Sequence, residues 1–246
     1  MTTRVAVIGA RGRMGRQVCA AVESATDLEL GPCIDLGDEV EQVAAADVAV
    51  VFSSPDAAFD HVRTCLRLGV HVVVGTTGWT EDRLETLRRD LAAAPGIGVL
   101  VAPNFALGAV LAMRFAALAA RHFESVEVIE LHHPDKVDAP SGTAIRTAEL
   151  VAAARTEAGC PPVPDATTTT LDGARGADVS GIPVHAVRLR GLVAHQEVLL
   201  GAQGEQLTIR HDSFDRICFM PGVLLGVRTV GSRPGLTVGL EHFMDD

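Results

Sequence analysis

Short runs of apolar, mostly β-branched residues recur along the first part of the chain, each followed by a turn and a stretch with helical spacing. Val5–Gly9, Leu28–Asp35, Val48–Ser53, His71–Thr76 and Gly98–Pro103 read as strands. They read as continuous apolar runs, which is the pattern of strands covered on both faces. Between them lie helical stretches, notably Pro55–Leu68, closed by Gly69 in the C′ position, and Thr80–Ala94, with Thr80 placed to cap it. A β-α alternation of such strands predicts an α/β fold, a doubly wound parallel sheet flanked by helices.

The pattern changes after Phe105. A long Ala-rich helix runs to about Arg121, a strand covers Val126–His132, a helix starts at Ser141, and a Pro/Thr/Gly-rich loop spans Pro161–Gly181. Pro183–Leu189, Ala194–Gly201 and Glu205–His211 then follow at hairpin spacing, with Gly201-Ala202-Gln203-Gly204 as turn material. This half is expected to be an antiparallel sheet with one or two helices. The stretch from Ser213 to about Val230 reads as helical and is expected to return to the first domain. The predicted organisation is residues 1–105 with 214–246 as one domain and 106–213 as an inserted α+β domain.

At 246 residues and 48% hydrophobic positions, the chain can bury its cores without disulfides or a structural metal. A net charge of −10 lacks the electrostatic footprint of a nucleic-acid or acidic-membrane binder. Cys19, Cys33, Cys65, Cys160 and Cys218 are odd in number and never in a C-x-x-C pair, so they read as reduced, small core residues. The longest apolar stretch, Ala106 to Ala120, is broken by Arg114 and is too short to span a membrane. The first residues run straight into the strand at Val5, which leaves no room for a signal peptide and predicts a cytoplasmic protein.

Gly9-Ala10-Arg11-Gly12-Arg13-Met14-Gly15 follows the first strand and opens a helix. Glycines in that context permit a tight turn and close backbone approach to a pyrophosphate. Asp35, at the end of the second strand, stands where a carboxylate bonds a ribose 2′-hydroxyl. Arg11 and Arg13 would lie beside the phosphates. Gly75-Thr76-Thr77-Gly78 occupies the carboxyl edge of the fourth strand, where open α/β sheets hold ligands. Two readings fit it equally: backbone approaching a flat ring, or a turn whose Thr77 or Thr80 caps the next helix. Ala102-Pro103-Asn104-Phe105 ends the last strand at the same edge, where Asn104 either faces the ligand or caps the following helix.

The densest chemistry lies in Glu130-Leu131-His132-His133-Pro134-Asp135-Lys136-Val137-Asp138-Ala139-Pro140-Ser141-Gly142-Thr143. Ser141, Gly142 and Thr143 would present a helix N-terminus to a carboxylate or phosphate, with Ser141 also able to act as an ordinary cap. Two imidazoles and an ammonium can exchange protons near neutral pH, provided the site shifts Lys136 down or keeps a histidine poised. Of 21 basic side chains, Lys136 is the only lysine, which points to a compact, titratable donor where a planar guanidinium does not serve. His185 shares a strand face with Val187 and Leu189 and reads as structural, and nothing near His195 supports a catalytic role. No H-x-H or H-x-x-x-H cluster with a third ligand occurs, so no metal is expected.

The Gly9–Gly15 turn, Gly75-Thr76-Thr77-Gly78, Ala102-Pro103-Asn104-Phe105, and above all the His132-His133 through Lys136 to Asp138-Ala139-Pro140-Ser141-Gly142-Thr143-Ala144 segment resemble the 4-hydroxy-tetrahydrodipicolinate reductase (dihydrodipicolinate reductase) family over the whole chain. The resemblance implies a Rossmann-type domain closed by the C-terminal segment, an α/β substrate domain, a homotetramer built through its sheets, and use of both NADH and NADPH. It implies His132 as proton donor, with Lys136 as its partner at a small dicarboxylate substrate. His133, Ser141, Gly142 and Thr143 would contact that substrate. Gly9, Arg11, Gly12, Arg13, Met14, Gly15, Asp35, Phe52, Ser53, Gly75, Thr76, Thr77, Ala102, Pro103, Asn104 and Phe105 would line the cofactor. Two positions depart from the family pattern: Val51, where an aspartate is common, and Asp135, where a neutral or basic residue is common. The residues alone leave two rivals, an NAD(H)-sensing protein without turnover and another small NAD-dependent dehydrogenase. A sensor has no use for a His-His-x-x-Lys cluster.

Overall fold

The computed structural model describes Thr2 to Met244; Met1, Asp245 and Asp246 lie outside the described residues. Contacts divide the chain into two compact units, one formed by the chain up to Leu107 with the part from Arg216 onward, the other by Gly108–Asp215.

The first unit contains β1 (Thr3–Ile8), α1 (Arg13–Ser24), β2 (Leu28–Ile34), a 3₁₀ turn over Val40–Ala45, β3 (Val48–Val51), α2 (Pro55–Arg67), β4 (His71–Val74), α3 (Glu81–Ala92) and β5 (Gly98–Val101). Its sheet runs β2, β1, β3, β4, β5, and every pairing among these is parallel. The apolar runs explain the arrangement, because Val5 to Ile8, Val48 to Val51 and Val72 to Val74 are all buried, as a sheet covered on both faces requires. The strands stop short of the sequence expectation: Phe52, Ser53 and Thr76 leave the ladder and enter the turns at its carboxyl edge. Thr80 caps α3 by accepting the Arg83 N–H, and Pro55 stands at the first turn of α2, where its missing N–H costs nothing.

The second unit holds α4 (Leu107–Ala120) apart from its first residue, β6 (Ser125–His132), α5 (Gly142–Glu157), β7 (Ala177–Val179), β8 (Ile182–Arg188), β9 (Ala194–Ala202) and β10 (Glu205–Ser213). Its sheet runs β10, β9, β6, β8, β7. Contrary to the antiparallel expectation, β8 pairs parallel with β6, while the other pairings are antiparallel. The reason is the connection: α5 carries the chain from the end of β6 back past the sheet, so the strand that next pairs with β6 starts from the same end. Strand β7, inside the stretch read as loop, turns into β8 through Ser180 at φ 55° and Gly181 at φ 82°. Val126, Val128, Val184, Val198 and Leu200 pack with Ala116, Ala120, Ala144, Ala148 and Val151 into one core, so the helices cover one face of this sheet.

The chain then returns to the first unit. A 3₁₀ turn (Arg216–Phe219) leads into α6 (Met220–Thr229), a second turn (Val230–Ser232), and β11 (Gly235–Val238), which adds to β5 in parallel as an edge strand that the periodicity did not show. Ser213 belongs to β10, so the helical stretch starts later than the sequence predicts. A Cβ on Gly98 would stand 2.0 Å from the Val230 carbonyl oxygen, so this contact admits only glycine. Among the described residues, no helix is long and apolar enough to cross a membrane.

Candidate functional site

The turn after β1 is built from steric necessity. Gly9 has φ 86°, and a Cβ there would meet the Phe52 carbonyl oxygen at 2.6 Å. A Cβ on Gly15 would fall 2.0 Å from the Gly9 oxygen, so α1 lies against the turn at a distance only glycine allows. Gly12 is the N-cap of α1, and no side chain caps it, leaving the helix's first N–H groups and its dipole facing outward beside exposed Arg13 and half-buried Met14. The Arg11 N–H donates to Asp35 Oδ2 at 2.6 Å and the Leu36 N–H to Asp35 Oδ1 at 2.8 Å. These two N–H groups, Leu36 first, hold the Asp35 carboxyl below its ordinary range. The Arg11 guanidinium sits 3.4 Å from Asp38, while the Asp38 carboxylate also accepts the Asp35 N–H.

The neighbouring strand ends join this turn. Ser53 Oγ lies 2.9 Å from His61 Nδ1, and Thr76 Oγ1 donates to the Ser53 carbonyl at 3.0 Å. Phe52 and Phe105 tilt together with ring centroids 6.0 Å apart, and a Cβ on Gly75 would overlap the Phe52 ring. Trp79 is tied in by its indole N–H, which donates to the Thr76 carbonyl at 2.8 Å, and by Phe59 against its ring. Asn104 Oδ1 accepts the Ala106 N–H at 2.8 Å and so turns the chain toward α4, while Ala102 is buried. Thr77, Gly78 and Pro103 are exposed at the same edge.

In the second unit, one fully buried carboxylate organises the cluster. Glu130 accepts both η nitrogens of Arg188, at 2.7 and 2.8 Å, the Ser141 N–H at 3.0 Å, and His132 Nδ1 at 2.5 Å. Burial pushes the Glu130 carboxyl up, but Arg188 and His132 overcome it and keep it ionised. Burial pushes His132 down against the pull of Glu130, with Lys136 and Arg188 adding to the downward push. The imidazole is therefore held neutral at pH 7, with its Nδ1–H directed to Glu130. Lys136 Nζ donates to Asp138 Oδ1 at 2.6 Å, so the acid bound to this lysine is Asp138 and not its sequence neighbour Asp135. Burial raises the Asp138 carboxyl, and Lys136 together with the Gly142 N–H bring it below its ordinary range. Ser141 caps α5 by accepting the Ala144 N–H at 3.2 Å. His133, half-buried, follows the end of β6, and Thr143 lies in the first turn of α5.

Sequence reasoning missed Glu130 and Arg188 as partners: β6 and β8 are 58 residues apart at this contact, and only their parallel register joins them. A glutamate at a core position of a strand, facing the same way as Val126 and Val128, was the available signal. His195 is buried, donates from Nδ1 to Asp212 at 2.6 Å and accepts the Val193 N–H, so both its nitrogens are used structurally. His185 pairs with Glu127 on the sheet's other face. Among the described residues, no three His, Cys, Asp or Glu side chains gather as a metal site.

Comparison with known proteins follows the same division. The family model for dihydrodipicolinate reductase, N-terminus, matches residues 3–105, and that for dihydrodipicolinate reductase, C-terminus, matches 108–244. A protein of Streptomyces griseus named 4-hydroxy-tetrahydrodipicolinate reductase is 63% identical over 244 residues, 98% of each chain. One of the same name from Nocardia farcinica is 62% identical over the full length of both. A solved structure described as dipicolinate-bound dihydrodipicolinate reductase from Paenisporosarcina sp. TG-14 superposes with a TM-score of 0.84 at 39% identity, covering 98% of this chain and 99% of that one. An apo scyllo-inositol dehydrogenase from Lactobacillus casei shares the fold alone, at 10% identity and a TM-score of 0.62 over 98% of this chain and 92% of that one.

Since Glu130 is the group that raises the His132 pKa, Glu130→Gln moves the imidazole titration midpoint downward, as followed by the ring-proton NMR shift across pH. An unmoved or raised midpoint contradicts this account of the cluster.

Proposed function

Because this chain belongs to the dihydrodipicolinate reductase family, we propose that its own residues divide the reduction of 4-hydroxy-tetrahydrodipicolinate between a nucleotide cradle at the α1 turn and a proton-donating anion site at β6 and α5. The chain is an oxidoreductase that uses a reduced nicotinamide cofactor and acts in lysine and diaminopimelate biosynthesis. The observation that carries the assignment of roles is the Glu130–His132 contact beside Lys136 and the α5 N-terminus.

The cradle fits the cofactor, because Gly9 and Gly15 leave backbone where any Cβ would intrude. Gly9, Arg11, Gly12, Arg13, Met14 and Gly15 would hold the pyrophosphate, and the ionised Asp35 the adenosine ribose. Phe52, Ser53, Gly75, Thr76, Thr77, Ala102, Pro103, Asn104 and Phe105 would hold the nicotinamide half at the strands' carboxyl edge. When bound, the reduced nicotinamide supplies the hydride that takes the place of the departing hydroxyl. His132 supplies the accompanying proton, so that the hydroxyl leaves as water and charge balances. Burial keeps His132 neutral; a dicarboxylate arriving beside it favours the imidazolium, so the ring takes up its proton as substrate binds. Glu130 then holds the charged ring in place by Nδ1 and leaves Nε2 to donate. Lys136, His133, Ser141, Gly142 and Thr143 would offset and orient the substrate's two negative charges, combining an ammonium with the partial positive charge of a helix N-terminus.

Both coenzymes are expected to serve, with a modest preference for NADH. Asp35 favours a ribose diol and repels a 2′-phosphate, while exposed Arg11 and Arg13 compensate in part. The uncovered face of the second unit's sheet carries half-buried Ile129, Leu131 and Leu199, a surface suited to pairing copies of the chain. It supports assembly as a homotetramer.

Lys136→Arg is expected to damage turnover nearly as much as Lys136→Ala, each by roughly 10²–10³ in kcat, since a guanidinium keeps the charge but not the compact three-donor shape. Steady-state kinetics decide it: an arginine variant retaining more than about a tenth of the normal kcat reduces Lys136 to an electrostatic anchor. Trp79, the only tryptophan in a chain without tyrosine, reports the cofactor. NADH quenches its emission in the parent protein, and Asp35→Ala weakens the NADH affinity read this way; a preference for NADPH above about a hundredfold in kcat/KM counts against Asp35 as the ribose ligand. Light scattering of the full chain tests the assembly, with the mass of four copies expected and a monomer mass opposing it.

A further inference from the structure

Cys33 departs from the sequence expectation that the cysteines are core residues, because it is exposed. The cause is a bulge. In the pairing of β1 with β2, Val5 opposes Leu30 but Val7 opposes Cys33, so β2 carries one extra residue at Gly31-Pro32. β2 is the edge strand of its sheet, which lets Pro32 sit without a ladder N–H and turns the Cys33 side chain toward α1. There its Sγ lies 3.7 Å from Sγ of Cys19, a half-buried residue on the helix that opens at the glycine turn. The other three cysteines are set apart: Cys65 is fully buried, Cys160 Sγ contacts the Arg121 carbonyl, and Cys218 lies in the turn before α6.

We propose that Cys19 and Cys33 form a reversible disulfide under peroxide, and that this bond weakens coenzyme binding by drawing α1 against β2. The exposed Cys33 sulfur attacks the peroxide oxygen; the O–O bond breaks, the departing hydroxide takes up the Cys33 thiol proton and leaves as water, and Cys33 becomes a sulfenic acid. The Cys19 sulfur then attacks the Cys33 sulfur. The S–S bond forms as the S–O bond breaks, and the departing hydroxide takes the Cys19 proton and leaves as water. Two thiols are oxidised and one peroxide is reduced, with two waters formed. The order of events follows from exposure: burial, with help from Cys33 and Glu23, pushes the Cys19 thiol up to about 12, so it stays protonated until the partner sulfur is electrophilic. Closing the bond brings the sulfurs from 3.7 Å to about 2.05 Å. That movement falls between the helix whose N-terminus would face the phosphates and the strand that leads into Asp35, so the effect on coenzyme rests on the placement of the nucleotide proposed above.

Treating the full-length enzyme with hydrogen peroxide is expected to remove two of its five titratable thiols, lower the intact mass by about 2 Da, and yield a single linked peptide pair, Cys19 with Cys33. The KM for NADH rises roughly threefold or more with kcat little changed, dithiothreitol reverses it, and Cys33→Ser and Cys19→Ser both resist it. Absence of the linked pair overturns the proposal, as does an equal loss in Cys33→Ser. A linked pair with unchanged KM overturns it too when Asp35→Ala still weakens NADH binding; if Asp35→Ala is also without effect, the nucleotide's placement is what fails.

Discussion

Taking a carboxylate wholly out of water is affordable only when every lone pair is answered, and the second unit is arranged around doing so for Glu130. Its partners come from three places: Arg188 from β8, His132 from the end of its own strand, and the Ser141 N–H from the start of α5. One charge therefore sets the imidazole's tautomer, the mouth of a helix and the seating of a neighbouring strand together. Arg188 is itself held further, donating to the Asp138 carbonyl at 2.7 Å, so the loop between β6 and α5 is fastened at both its ends and near its middle. Rigidity of this kind suits the proton-donating role proposed for His132, since a misplaced ring loses its hydrogen bond to a reacting atom.

The first unit depends on the opposite device, the absence of side chains. Where Gly9, Gly15 and Gly75 lie, backbone and aromatic rings fill the room that a Cβ would take. Close packing there costs no polar burial and leaves N–H groups free to face an anion. Gly98 repeats the device far from the turn, under the Val230 carbonyl, where it lets the returning C-terminal segment add β11 to the sheet.

Much of this was legible in the sequence, and the exceptions have physical causes. The buried parallel strands announced themselves because continuous β-branched runs have few other uses, while the caps Thr80 and Ser141 were legible only beside ligand-facing readings of the same turns, since a hydroxyl ahead of a helix can serve either purpose. The parallel placement of β8 was hidden, since periodicity records which face a strand buries and not its direction. β11 is four residues of Gly-Leu-Thr-Val at an edge, too short to stand out. Cys33 looked like a core residue until a bulge turned it outward. Glu130 was visible as a motif member, but its partner Arg188 could not be found without the register that joins β6 to β8.

The contact between Lys136 and Asp138 has a further meaning for how tightly any anion is held. An ammonium already bonded to a carboxylate two residues away is not a vacant charge. An incoming anion that takes this ammonium exchanges with an internal one, present at the high effective concentration that a short tether confers. In the anion site proposed for this lysine, Asp138 would act as a tethered internal competitor, so that apparent affinities would be differences between two carboxylates on one lysine. Such a site releases a singly bonded product easily while still holding a ligand that gathers several contacts at once.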